Sequence, residues 1–152
     1  MNILAAVDFS GFTEPILRAV EQIAAAAPEA RIWLLHVAEP DPSFVGYDAG
    51  PAVVRDQVAA EYRREHQQLQ ACAERLRGSG VEVTALLIRG AIADTILTEA
   101  VRLDVELLVM GSHGYGAIAD LIAGGVCRVV LRKALCPVLV IPPGLAREEL
   151  IS

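Results

Sequence analysis

Hydrophobic residues in this chain fall into two alternating patterns. Five short runs are almost continuously apolar: residues 3–7, 32–37, 81–88, 105–110 and Val138–Ile141. Runs of that length without polar alternation predict strands buried on both faces, the pattern of a parallel sheet. Between them, apolar residues recur at helical spacing. Ile16, Leu17, Val20, Ile23 and Ala24 form one stripe, with Thr13 and Pro15 at its start. Val54, Val58, Tyr62, Leu69, Cys72 and Leu76 form a second, which Gly78 closes. Glu65 and His66 interrupt that stripe, which predicts a helix that bends or leaves the core there. Ile92, Ile96, Ala100 and Leu103 form a third stripe. Val126, Val129, Val130 and Ala134 form a fourth, with Arg132 and Lys133 suited to its C-terminal dipole and Pro137 beyond. Strict alternation of strand and helix predicts a three-layer α/β domain with right-handed crossovers.

Composition narrows this picture. At 152 residues the chain suits one domain, expected over 1–143 with a loosely held tail over 144–152. A 54% hydrophobic and 21% charged composition belongs to a globular chain. A Pro-, Asp- and Gly-rich stretch over 39–51 predicts a mobile surface loop. The net charge of −6 argues against nucleic acid or an anionic membrane as the main partner. A small phosphate ligand remains compatible, because backbone N–H groups bind phosphate without a basic surface. The N-terminus lacks the basic start of a signal peptide and reaches Asp8 early, and no apolar run is long enough to span a bilayer. Cys72, Cys127 and Cys136 are few and unevenly spaced, so they read as thiols in a cytoplasmic protein.

The candidate chemistry lies where strands end. Met110 is followed by Gly111, Ser112, His113 and Gly114, and nine residues later by Gly124, Gly125, Val126 and Cys127. Glycine-rich backbone that leaves a strand and enters a helix brings several N–H groups close to a phosphate, and the helix N-terminus favours negative charge. The first strand ends at Val7, Asp8, Phe9 and Ser10. Asp8 reads either as a turn or cap residue, or as an acceptor for a ribose hydroxyl or a holder of a metal beside phosphates. In open α/β sheets, ligands sit beyond the carboxyl ends of strands at a topological switch point. If the first and fourth strands are neighbours, Asp8 and the glycine loop share one crevice. Gly114, Gly116 and Ala119 match a dinucleotide fingerprint only superficially, since they follow the fourth strand, and there is no P-loop. His36, His66 and His113 lack metal-ligand spacing, and His36 reads as a packed, hydrogen-bonded strand residue. Cys127 falls near a helix start, where the dipole lowers a thiol pKa, so a redox sensor is one reading and a small packed residue the other. No nucleophile elbow, receiver-type aspartate or paired carboxylates are found, and nothing specifies an efficient enzyme.

These residues resemble the universal stress protein family. Residues 3–10 (Ile, Leu, Ala, Ala, Val, Asp, Phe, Ser) are similar to its first strand and acidic turn, and 34–37 (Leu, Leu, His, Val) to its second strand. Residues 109–114 and 135–142 are similar to its fourth and fifth. The resemblance implies a five-stranded parallel sheet of order 3-2-1-4-5, of the adenine nucleotide alpha hydrolase-like kind. It also implies a homodimer, for which Val138–Ile141 at the sheet edge is the expected interface alongside unidentified protein partners.

Nucleotide-binding members carry G-x-x-G, nine residues, then G-[S/T], and bind ATP, ADP or AMP, with Mg2+ as an accompanying ion. By that resemblance Asp8 faces the ribose, and Ala6, Val7 and Val37 line the adenine pocket. Met110, Gly111 and Gly114 flank the ribose and phosphates, and Gly124, Gly125 and Val126 offer backbone N–H groups. Here Gly125 replaces the usual Ser or Thr, and Cys127 another common hydroxyl residue. Each lost charge-assisted hydrogen bond costs about 1.5–3 kcal/mol. The expectation is a stress-responsive module with weakened but retained adenine-nucleotide binding, favouring AMP or ADP, and at most very slow ATP hydrolysis. The alternative is a dimeric interaction module that has lost the ligand. Valine at Gly111 or Gly114 is expected to separate the two.

Overall fold

The computed structural model describes residues 1–39, 52–112 and 125–145. Most of the expected loop at 39–51, the glycine loop with Gly114 and Gly124, and residues 146–152 of the expected tail lie outside the described residues. Among the described residues the alternating elements are β1 (Asn2–Ala6), α1 (Thr13–Ala26), β2 (Arg31–Ala38), α2 (Ala52–Gly78), β3 (Glu82–Arg89), α3 (Ile92–Arg102), β4 (Leu107–Gly111), α4 (Gly125–Lys133) and β5 (Val138–Ile141). The five strands form one parallel sheet of order β3-β2-β1-β4-β5.

Side chains alternate across that sheet and so divide the core in two. Ile3, Ala5, Val7, Ile32, Leu34 and Val109 pack with Ile16 and Val20 of α1 and Leu69, Ala73 and Leu76 of α2. Leu4, Ala6, Leu35, Val37, Leu108 and Met110 pack with Ile92 and Ile96 of α3 and Cys127 and Val130 of α4. The near-continuous apolar runs of β1, β2 and β4 are thus explained by helices on both faces.

Two local expectations change. The fourth strand starts at Leu107, not at residue 105, because the Val105 N–H donates to the Ala100 carbonyl and finishes α3 instead. The second helix is closed by Gly80 (φ +82°), not by Gly78, which is still helical. There the Gly80 and Val81 N–H groups return to the carbonyls of Arg77 and Leu76, and a left-handed residue at this place favours glycine. α2 is continuous through Glu65, and none of its residues from 55 to 68 is buried whereas Leu69, Ala73 and Leu76 are, so it leaves the core where Glu65 and His66 interrupt the stripe, as expected.

Candidate functional site

The strand order reverses between β1 and β4. β1 pairs with β2 on one side and β4 on the other, with Ala5 opposite Val109 and Ala6 opposite Leu35. This is the switch point at which open α/β sheets leave a crevice. The turn after β1 and the end of β4 therefore lie together.

The turn after β1 is built by short-range polar contacts. Asp8 Oδ1 accepts the Ser10 N–H at 3.0 Å and the Ser10 hydroxyl. Ser10 Oγ in turn accepts the Phe12 N–H at 3.3 Å. Asp8 is half-buried, and this carboxylate-closed turn is what its residue type favours. Between them Phe9 adopts left-handed backbone (φ +60°), which costs an aromatic L-residue on the order of 1–2 kcal/mol. Its ring is held by His36, with centroids 4.4 Å apart.

Phe12 closes the gap to β4. Its ring fills the space beside Gly111: a Cβ there would come within 2.7–2.9 Å of Phe12 side-chain carbons. Gly111 is therefore needed for packing whatever ligand is present, so the valine substitution expected to report on nucleotide binding would first disrupt this contact. Ser112 is buried and its N–H donates to the Ile141 carbonyl at 2.9 Å, which ties the β4 end to β5.

Gly125 opens α4 and is exposed. Among the described residues no atom lies within 4 Å of where its Cβ would stand. The N–H groups of the first turn of this nine-residue helix carry the partial positive charge of the dipole. Val126 packs against the same apolar cluster as Ala6, Val37 and Met110. Val7 belongs to the opposite cluster, while its N–H donates to the Leu35 carbonyl at 2.9 Å.

Cys127 bears on both of its readings. It sits in the first turn of α4 but is only 2% exposed, and burial pushes its thiol above the ordinary value. Burial of the thiol favours the packed reading of Cys127 over the reactive one. Cys72 and Cys136 are likewise raised by burial.

Sequence reasoning missed two features. A cleft of about 350 Å3 lies between α1 and α2, lined by Ser10, Thr13, Glu14, Cys72 and Arg75 among others. Arg75 there is engaged by Glu14 and by Glu21. The second is the pairing of His36 with Glu65, whose Oε2 is 3.5 Å from His36 Nε2. Its signal was present in the sequence as the polar interruption of the α2 stripe. Among the described residues no group of three His, Cys, Asp or Glu could hold a metal, and no helix is long and apolar enough to cross a membrane. A Mg2+ ion accompanying phosphates needs only one or two carboxylates, and Asp8 is the acid at this crevice.

The family model for the universal stress protein family matches residues 1–142. The chain belongs to the universal stress protein family. A universal stress protein of Thermus aquaticus is 32% identical over 124 residues, covering 81% of this chain and 85% of the relative. The solved structure of the protein MJ0577 superposes with a TM-score of 0.77 at 23% identity, over 93% of this chain and 94% of that one. A universal stress protein from Archaeoglobus fulgidus in complex with dAMP does so at 0.64 and 24%, over 93% and 97%. Another universal stress protein, in complex with cAMP, does so at 0.66 and 20%, over 93% and 96%. The sheet order of this family member is the one its resemblance implied, and its fold is the adenine nucleotide alpha hydrolase-like one.

Proposed function

We propose that this universal stress protein binds an adenine nucleotide at the carboxyl ends of β1 and β4 and acts as a nucleotide-responsive module. The observation that carries the reading is the adjacency of those two ends at the switch point. On this reading Asp8 takes a ribose hydroxyl, Ala6 and Val37 lie against the base, Val7 meets it with backbone alone because its side chain packs into the opposite cluster, and Met110 and Gly111 flank the sugar. The helix start at Gly125 and Val126 takes a phosphate, with Gly114 and Gly124 supplying further backbone donors. Relatives of the same fold in complex with dAMP and cAMP support an adenine ligand. Lack of a hydroxyl at Gly125 favours AMP or ADP over ATP. The protein works in the cytoplasm as a homodimer, and turnover of ATP is slow or absent.

The experiment is to denature ligand-untreated protein, identify any released nucleotide by chromatography, and titrate stripped protein with ATP, ADP and AMP. The variant that tests the site is Gly125→Asp. Its side chain has room, and an acidic residue at a helix start stabilises the helix by about 0.3–1 kcal/mol. The same carboxylate repels a phosphate. Loss of binding with unchanged or raised thermal stability is expected; unchanged affinity would place the phosphate elsewhere. Gly125→Ser restores a hydroxyl and is expected to tighten ATP by about tenfold.

A further inference from the structure

The outer side of α4 breaks the charge pattern of the molecule. The chain carries a net charge of −6, yet residues 125–145 contain Arg128, Arg132 and Lys133 and no aspartate or glutamate. All three cations are exposed. Among the described residues the ion pairs lie elsewhere in the fold. Arg132 and Lys133 suit the negative end of the helix, but Arg128 lies toward the positive end and gains nothing from it.

Large apolar side chains share this surface. Leu131 is 50% exposed, and Leu135, just past the helix end, is 89% exposed. Arg128, Leu131 and Arg132 are spaced three and four residues apart and so stand on one side of the helix, while Cys127 and Val130 face the core. A single exposed leucine needs no explanation. Two of them set among cations make a surface complementary to an acidic segment that also carries apolar side chains.

The chain itself contains such a segment. Residues 146–152, outside the described residues, read Ala, Arg, Glu, Glu, Leu, Ile, Ser. The acid pair Glu148 and Glu149 is followed directly by the apolar pair Leu150 and Ile151. α4 joins the carboxyl end of β4 to the amino end of β5, and the two strands are parallel, so the helix runs opposite to β5. A chain that leaves the carboxyl end of β5 and turns back therefore runs the way α4 runs. On that path the acids come before the apolar pair, as Arg128 comes before Leu131 and Leu135. β5 is four residues long, a rise of about 13 Å. Leu150 and Ile151 follow Leu145 by about 17–21 Å of extended chain, enough to return along it.

We propose that the outer side of α4 is the docking site of the chain's own segment 146–152, with Glu148 and Glu149 against Arg128 and Arg132, and Leu150 and Ile151 against Leu131 and Leu135. Exposed ion pairs are weak singly, so the apolar contacts hold the segment and the charges set its register. Docked there, it keeps the cations from acidic partners outside the chain, which have to displace it first. The contact requires no nucleotide.

The test uses the full chain at low ionic strength, where surface charges are least screened. Methyl-labelled wild type is expected to give NOE cross-peaks between the methyl groups of Leu150 or Ile151 and those of Leu131 or Leu135. Glu148→Lys with Glu149→Lys alters no residue of a described element and is expected to abolish the cross-peaks without moving Tm. Arg128→Glu with Arg132→Glu is expected to abolish them as well, and all four changes together to restore them, because the charges are then exchanged across the contact. If the α4 pair does not fold, the Glu148 and Glu149 pair still decides. Wild type without cross-peaks overturns the proposal and leaves the cations to an acidic partner from outside the chain. Cross-peaks that survive Glu148→Lys with Glu149→Lys overturn it too. In a mixture of 13C-labelled and unlabelled wild type, an isotope-filtered spectrum separates contacts within a chain from contacts between copies. Cross-peaks confined to the same chain support the proposal; cross-peaks between labelled and unlabelled chains place a second copy's segment on α4 and overturn it.

Discussion

Phe12 and Gly111 show how one missing methyl group joins two strand ends. The ring lies where a Cβ would stand, so Gly111→Ala is expected to destabilise the fold by about 1–3 kcal/mol through overpacking. Chemical denaturation checks this, and adding Phe12→Leu should recover part of the loss, since the two changes act on one volume. Equal losses in the single and double variants would mean that the contact does not limit the site. Cys127 gives a second prediction at this scale. Its thiol is raised from an ordinary value of 9.0 by burial. A folded-state value above the unfolded one gives stability that is present below about pH 9 and lost as pH rises through the folded value. Cys127→Ala should flatten the alkaline fall in stability, and iodoacetamide should modify wild-type Cys127 only as fast as the protein opens. Rapid labelling at neutral pH would contradict the burial argument. Some of this was legible in the sequence. Asp8 closing a turn and His36 as a bonded strand residue follow from local chemistry. The role of Phe12 did not, because its partner lies about a hundred residues away and only the sheet order brings them together.

Helix endings separate what a sequence shows from what it hides. α3 ends with the Asp104 N–H returning to Val101 and the Val105 N–H to Ala100. This is the same pairing that closes α2 at Gly80, but here Asp104 occupies the left-handed position (φ +49°). An aspartate there is strained, and its charge opposes the negative helix end. Asp104→Gly is therefore expected to stabilise by about 0.5 kcal/mol after the extra freedom of the unfolded chain is subtracted. Thermal unfolding measures it, and a loss of stability would show that the Asp104 carboxylate has a compensating role. Among the described residues the apolar periods located α1, α2, α3 and α4, whose buried stripes pack on the sheet faces. Their ends were less legible, since Gly78 and Gly80 look alike until backbone angles are known. Glu65 was legible in part: the polar interruption marks where α2 leaves the core, but its pairing with His36 needs tertiary placement.

At the scale of the molecule, the two sheet edges are unlike. β3 is eight residues long and carries charge at both ends, Glu82 and Arg89. β5 is four residues, all apolar, with Leu139 37% exposed and Leu135 just before it 89% exposed. Among the described residues β5 pairs only with β4. Proteins ordinarily protect an edge of this kind with charge, proline or a bulge, and the strand itself has none of the first two. A second copy of the chain would cover it economically, since a two-fold axis brings the same apolar strand from each side. Sedimentation at micromolar concentration is then expected to give twice the 16.2 kDa chain mass. Leu139→Lys places two cations in such an interface, one from each copy, and burying unpaired charge costs several kcal/mol. Dimerisation should weaken by roughly a hundredfold or more in affinity, with each chain still folded because Leu139 is exposed and belongs to neither core cluster. A wild-type monomer, or a dimer indifferent to Leu139→Lys, would remove β5 from the interface and leave the nucleotide crevice on the other side of β4 to be judged on its own.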